Sequence, residues 1–124
     1  MLFRSSHTWP DDIDMLLVGP VATTQNAEIM SDVGGSNDLV GVNLTLKDAA
    51  AASLPDSAQI VSGTYKPTNI GTTADVFPLP APVANVSSSL TAFSGNPNGT
   101  WKLYVRDQFT GDFGSIAEIG RAHV

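Results

Sequence analysis

The run Asn96-Pro97-Asn98-Gly99, followed by Thr100-Trp101-Lys102-Leu103-Tyr104-Val105-Arg106-Asp107, leaves this chain few folds to choose from. Proline presets φ for a turn, and Asn98-Gly99 reaches the left-handed conformations that a chain reversal needs. Strict alternation then puts Trp101, Leu103 and Val105 on one face and Lys102, Tyr104 and Arg106 on the other. That is a half-buried antiparallel strand, led in by a tight turn and anchored by a tryptophan expected in the core. It argues for a binding or stabilising module and lends nothing to a catalytic centre.

The same reading extends along the chain. Val40, Val42, Leu44 and Leu46 alternate with Gly41, Asn43, Thr45 and Lys47, the clearest period-two signal in the sequence. Asp12 to Val18 reads as a strand. Its run Met15-Leu16-Leu17-Val18 is apolar on both faces, which predicts a central strand covered on both sides and stopped by Gly19-Pro20. Further strands are expected near Ala27 to Met30, Gln59 to Ser62, Ser89 to Phe93 and Ser115 to Ile119, with an extended piece at Gly63 to Pro67. The alanine run between Asp48 and Ser53 suggests one helical turn ended by Leu54-Pro55. From Thr68 to Ser88 periodicity is poor, and Pro78, Pro80 and Pro82 favour an extended path laid over the surface. So long an irregular connection is unusual in a compact domain. About seven or eight short strands separated by turn chemistry predict an all-β fold, a two-sheet antiparallel β-sandwich, with closed barrels second. Residues 1–124 are expected to form a single domain.

Charge narrows the partners. The chain carries 6 Lys and Arg against 12 Asp and Glu, a net charge of −6. Six scattered basic residues cannot build a phosphate-neutralising stripe, so nucleic acid is not an expected partner. No run of apolar residues is long enough for a spanning helix, so no membrane partner is expected either. There are 0 cysteines, which excludes disulfides and thiolate metal sites. An acidic surface with only 15% charged residues fits a secreted or cell-surface protein, or one that holds a divalent cation.

The acidic residues are the candidates for that cation. Asp12 and Asp14 sit two apart on a strand, so both carboxylates project to one face about 7 Å apart. Asp32 and Asp38 flank a glycine-rich loop, and Asp107 and Asp112 bracket another. Calcium takes six to eight oxygens in flexible geometry, which loops at one end of a sandwich can supply. The competing reading makes the same aspartates turn formers that bond their own backbone. Only His7 and His123 offer imidazole. The bland readings are a partly buried His7 donating to a turn carbonyl and a solvent-exposed tail His123, short of the ligands that zinc needs. No Gly-x-Ser-x-Gly elbow is present, and no Asp lies in an apolar sequence context that would raise its pKa for acid catalysis. Enzymatic activity is therefore not expected. Among the aromatics, Phe109 and Phe113 are the candidates for exposure and for stacking on a glycan; the alternative has them plugging the end of the sandwich.

Several segments, in order, resemble one family. Asn98-Gly99-Thr100-Trp101-Lys102-Leu103-Tyr104-Val105-Arg106-Asp107 is similar to the "nGtW-x-L-x-V-x-D" signature of the P domain, the module beside the catalytic domain of kexin- and furin-like subtilases. Ser6-His7-Thr8-Trp9-Pro10-Asp11-Asp12-Ile13-Asp14-Met15-Leu16-Leu17-Val18-Gly19-Pro20 resembles its opening block. Asp107, Gly111-Asp112 and Gly114-Ser115-Ile116 are similar to its closing "D-x-x-x-G-D-x-G-x-I" element. The resemblance implies a jelly-roll sandwich acting as a non-catalytic accessory module, with calcium as a cofactor and a subtilisin-like protease domain, or other domains of the parent chain, as partner. Two departures stand out. Only Met1 to Ser6 precede the His block, where the family has a strand, so the first strand is expected to be missing. The chain ends Glu118-Ile119-Gly120-Arg121-Ala122-His123-Val124, where the family carries a core tryptophan. A sandwich with such open edges has an alternative role as a self-assembling subunit, a homo-oligomer formed by strand exchange.

Overall fold

The structure, a computed structural model, describes residues 1–119. It is a sandwich of two four-stranded sheets. The strands are β1 (Leu2–His7), β2 (Ile13–Val18), β3 (Asn26–Ser31), β4 (Leu39–Leu46), β5 (Gly63–Tyr65), β6 (Thr68–Asn69), β7 (Lys102–Asp107) and β8 (Gly114–Ile119). One sheet runs β5-β4-β1-β8 and the other β6-β3-β2-β7. The pairs β1·β8, β2·β7, β3·β6 and β4·β5 nest inside one another, as in a rolled-up ribbon. The two inner pairs run parallel, so the sheets are mixed rather than wholly antiparallel. Those short parallel strands follow each other through Lys66-Pro67, and the chain thereby crosses from one sheet to the other and closes that side. On the opposite side β7 and β8 are the edge strands of the two sheets.

Three expectations for strands need correction. The first strand is present: Leu2–His7 sits between β4 and β8, and Phe3 is fully buried in the core. Ser89 to Phe93 is not extended. Leu90–Ala92 forms a 3-10 turn, capped by Ser89 Oγ accepting from Thr91 N, with the Asp48 carboxylate accepting from Leu90 N at 3.0 Å. Gln59 to Ser62 is not a strand; pairing with β4 starts at Gly63. The alanine run at 48–53 is a turn rather than helix, and Ser53 bridges Lys66. His123 lies outside the described residues.

Register shifts reset the alternation in β4 and β3, and a third interrupts the β1·β8 pairing between Arg4 and Ser5. In β4, Ser5 opposes Val42 and His7 opposes Leu39, so Val40 and Gly41 together face Ser6. Gly41 has φ +56, the left-handed region where a Cβ is penalised. The extra residue turns Leu39 inward and leaves Val40 80% exposed, although period two assigned Val40 to the core with Val42, Leu44 and Leu46. In β3, Met15 opposes Met30 while Leu16 opposes Glu28, so Ile29 is the extra residue. Ile29 and Met30 therefore both enter the main core, and Ser31 comes back to the outer face.

β2 is buried at every position, as its sequence requires. Met15 and Leu17 face the main core with Phe3, Ile29 and Leu44. Leu16 and Val18 face outward, where Phe77, Ala81 and Ala84 cover them and Ala74 and Tyr104 pack alongside. The proline-containing segment 74–85 is thus a strap across the outer face of this sheet. The solvent face expected for Tyr104 and Arg106 is half-buried as a result. Trp101 and Leu103 pack on the core, with Trp101 edge-on to Phe93 at 5.0 Å between ring centroids. Val105, at the open side, is 48% exposed. It joins Ile13, Met15 and Ile116 in a groove of about 320 Å³ between the two sheets. Among the described residues no helix is long and apolar enough to cross a membrane.

Candidate metal centre

The strap is fastened at polar points that the outer face of the sheet presents. At one end Asn26, on β3, donates through Nδ2 to Val83 O at 3.0 Å and accepts from Asn85 N at 2.8 Å. At the other end Asp75 N donates to Glu28 Oε1 at 2.7 Å, and Arg106 Nη1 donates to Val76 O at 2.8 Å. Asn26 and Glu28 alternate with inward Ala27, which puts both beneath the strap. These bonds satisfy buried polar groups that would otherwise be costly to desolvate.

Fastening brings carboxylates together. Asp14 projects outward from β2 beside Ser31, whose Oγ donates to Asp14 Oδ1 at 3.0 Å and also meets the Asp75 carboxylate. Asp32 follows Ser31 with φ +53, a left-handed turn that Asp tolerates better than most residues. Carboxylate oxygens of Asp14, Asp32 and Asp75 all lie within 4.8 Å of one another. Asp14 is fully buried; Asp32 and Asp75 are half-buried and leave the group open to solvent on one side. Gln108 Nε2 donates to Asp14 Oδ2 from the β7–β8 loop. The only ion pair among the described residues is His7 with Asp107, so no lysine or arginine bridges these acids. Three carboxylates from three separate segments can hold a metal ion, with Ser31 Oγ as a fourth oxygen and water completing the shell.

Burial and mutual repulsion show in the titration. Asp14 is pushed up to about 6, first by burial and then by the neighbouring Asp75 charge, against the hydrogen bonds from Gln108 and Ser31. Glu28 is pushed up to about 8, chiefly by burial and then by its contact with Asp75. Asp32 is raised by burial first and by Asp75 second. A carboxyl group whose folded pKa is raised binds its proton more tightly in the native state. Its stabilising contribution is complete below the unfolded pKa near ~4 and is lost as pH rises through the folded value. In chelator, the melting temperature is therefore expected to fall as pH rises from ~4, up to about 6 on account of Asp14 and on to about 8 on account of Glu28. Thermal scans across that window check this; a melting temperature that climbs steadily with pH contradicts it.

The sequence placed two members of this triad among its candidates and missed the third, Asp75. Asp14 and Asp32 are in the group. Asp38 is exposed on its loop and outside it; its backbone carbonyl accepts from Gln59 Nε2. Asp12, Asp107 and Asp112 gather elsewhere, around His7. Asp12 faces inward and is buried, because the 3-10 turn Pro10–Asp12 precedes β2 and breaks its phase relation with Asp14. Burial raises the Asp12 pKa, with the Asp107 and Asp112 charges adding to it. Asp75 and Glu28 carried no local signal, since their meeting depends on where the strap lands.

His7 bonds Asp107 rather than a turn carbonyl. Its Nε2 is 2.8 Å from Asp107 Oδ2, and its Nδ1 accepts from Trp9 N at 3.0 Å. With Nδ1 an acceptor, the ring proton sits on Nε2 and is donated to Asp107. Both nitrogens are thereby engaged, and neither meets a serine hydroxyl. Phe109 and Phe113 do not plug the sandwich end: they are 63% and 76% exposed. Comparison with known protein families, with curated proteins and with solved structures finds no match.

Proposed function

We propose that this chain is a non-catalytic, calcium-stabilised accessory module of a secreted or cell-surface protein, of the P-domain kind. It docks on a protease domain or on other domains of its parent chain. The observation that carries the reading is the triad Asp14, Asp32 and Asp75 within 4.8 Å, unbridged by any basic side chain among the described residues. A group of like charges on three segments is held apart by repulsion and drawn together by a divalent cation. The donor set is all oxygen, which favours a hard cation, and its irregular, part-open geometry suits calcium better than octahedral magnesium. The ion's work in this place is structural. It ties β2, the turn after β3 and the strap to one another, and so stiffens the face on which the module is built.

The sandwich supplies rigid walls for that role, and the His7 imidazole is committed to holding the turn at Trp9 and the end of β7. Thermal unfolding tests the calcium part directly. Millimolar calcium is expected to raise the melting temperature by about 10 °C over chelator, the shift that about 2.7 kcal/mol of ligand stabilisation gives when the ion is near a hundredfold over its Kd. Identical melts in calcium and chelator would remove the ion from the account.

A further inference from the structure

The β7–β8 loop folds against the turn that leads into β2. Gln108 N donates to Asp12 O at 2.9 Å, Thr8 N to Phe113 O at 3.3 Å, and Phe113 N to Thr8 Oγ1 at 3.3 Å. This brings Trp9, Phe109 and Phe113 to the same end of the sandwich, and all three are exposed, Trp9 by 43%. Large aromatic faces left in water on two adjoining segments are a costly arrangement for a surface with no use for them. Acids surround them. Asp11, Asp107 and Asp112 are all part-exposed on the same two segments, with Asp12 buried beneath. Asp56, on a neighbouring loop, lies near enough to Asp11 to add to the rise in its pKa that burial begins. Apart from His7, no basic group pairs with any of them among the described residues.

We propose that this end is a docking surface for an arginine-bearing segment of a protein partner. The inference rests on the reading of the chain as a binding module and names its contact surface. A guanidinium is planar and weakly hydrated, so it stacks on an aromatic face while its N–H groups reach carboxylates at the rim. The rim supplies that complement: negative charge beside ring faces, on a chain of net charge −6. A glycan fits less well. Sugar hydroxyls ask for donors as well as acceptors, and the rim is mostly acceptors, while the one side-chain amide of the loop, Gln108, is spent on Asp14.

Fluorescence polarisation on the full chain tests this with a labelled peptide of alternating glycine and arginine, its glutamate counterpart, and a neutral β-glucan oligosaccharide. The arginine peptide is expected to bind saturably at low salt and to weaken as salt rises towards physiological strength. The double variant Phe109→Ser with Phe113→Ser is expected to weaken it at least about fivefold at an unchanged melting temperature, because both rings are exposed. Asp11→Asn is expected to weaken it without touching the rings. Equal binding of the glutamate peptide, undiminished binding by the double variant, or no saturable binding at low salt each overturns the proposal. Oligosaccharide binding that the double variant abolishes overturns it in favour of a glycan site. Loss of peptide binding with an intact calcium shift sinks the surface alone. A calcium shift that is absent while the peptide still binds sinks the metal part of the module reading alone.

Discussion

Phe3→Ala is expected to lower the melting temperature by roughly 10–20 °C. Phe3 is fully buried among Leu44, Met15 and Ile116, on a strand that pairs with β4 on one side and β8 on the other. Truncating such a ring costs about 3–5 kcal/mol, the transfer term plus the cavity left behind. In a domain of this size each kcal/mol moves the midpoint by about 4 °C. The neighbouring positions supply the control: Leu2→Ala, on the same strand but exposed, is expected to shift the midpoint by no more than about 2 °C. Denaturation curves for the two variants decide the matter. A mild Phe3→Ala variant would mean that the sandwich closes without its first strand, and β8 would then have no partner between itself and β4.

Asp14→Asn is expected to move stability in opposite directions with and without calcium. In chelator at neutral or higher pH the variant gains a few °C, because a buried charge is removed from between two others. Unit charges about 5 Å apart repel by roughly 3 kcal/mol at an effective dielectric near 20. Solvent screens part of this, since Asp32 and Asp75 are half-exposed. The amide keeps an oxygen for Gln108 and offers a donor to the acids beside it, so no buried polar group is stranded. In calcium the same variant loses most of the shift, because the ion loses its most buried anionic ligand. Asp38→Asn, which alters an exposed carboxylate outside the triad, is expected to leave the calcium shift unchanged. Differential scanning calorimetry on the three proteins, each with and without calcium, separates the outcomes. A drop in the chelator melt for Asp14→Asn would show that its charge holds the strap by hydrogen bonding rather than straining it.

The metal proposal and the arginine proposal concern different ends of one electrostatic problem. Both arise where acidic side chains are brought together without basic neighbours, but the surroundings differ. At the triad the acids converge on the buried Asp14 where the strap begins. At the loop end they border exposed rings. Buried acids call for a small ion, and acids rimming aromatic faces suit a flat cation.

Local chemistry in the sequence was enough for the strand class. Lys102 to Asp107 and Ile13 to Val18 form the strands that alternation and the apolar run required, and the prolines near 80 mark the segment that covers the sheet. These features depend on neighbours one or two residues away, where period two and turn chemistry act. Tertiary structure decided the rest. The glycine bulge at Gly41 and the extra residue at Ile29 reversed which side chains face inward, because one inserted residue flips every later side chain to the other face. The triad exists because the strap, anchored at Asn26 and Glu28, delivers Asp75 to Asp14 and Asp32. That meeting is set by packing between segments far apart in the chain, and periodicity carries no record of it.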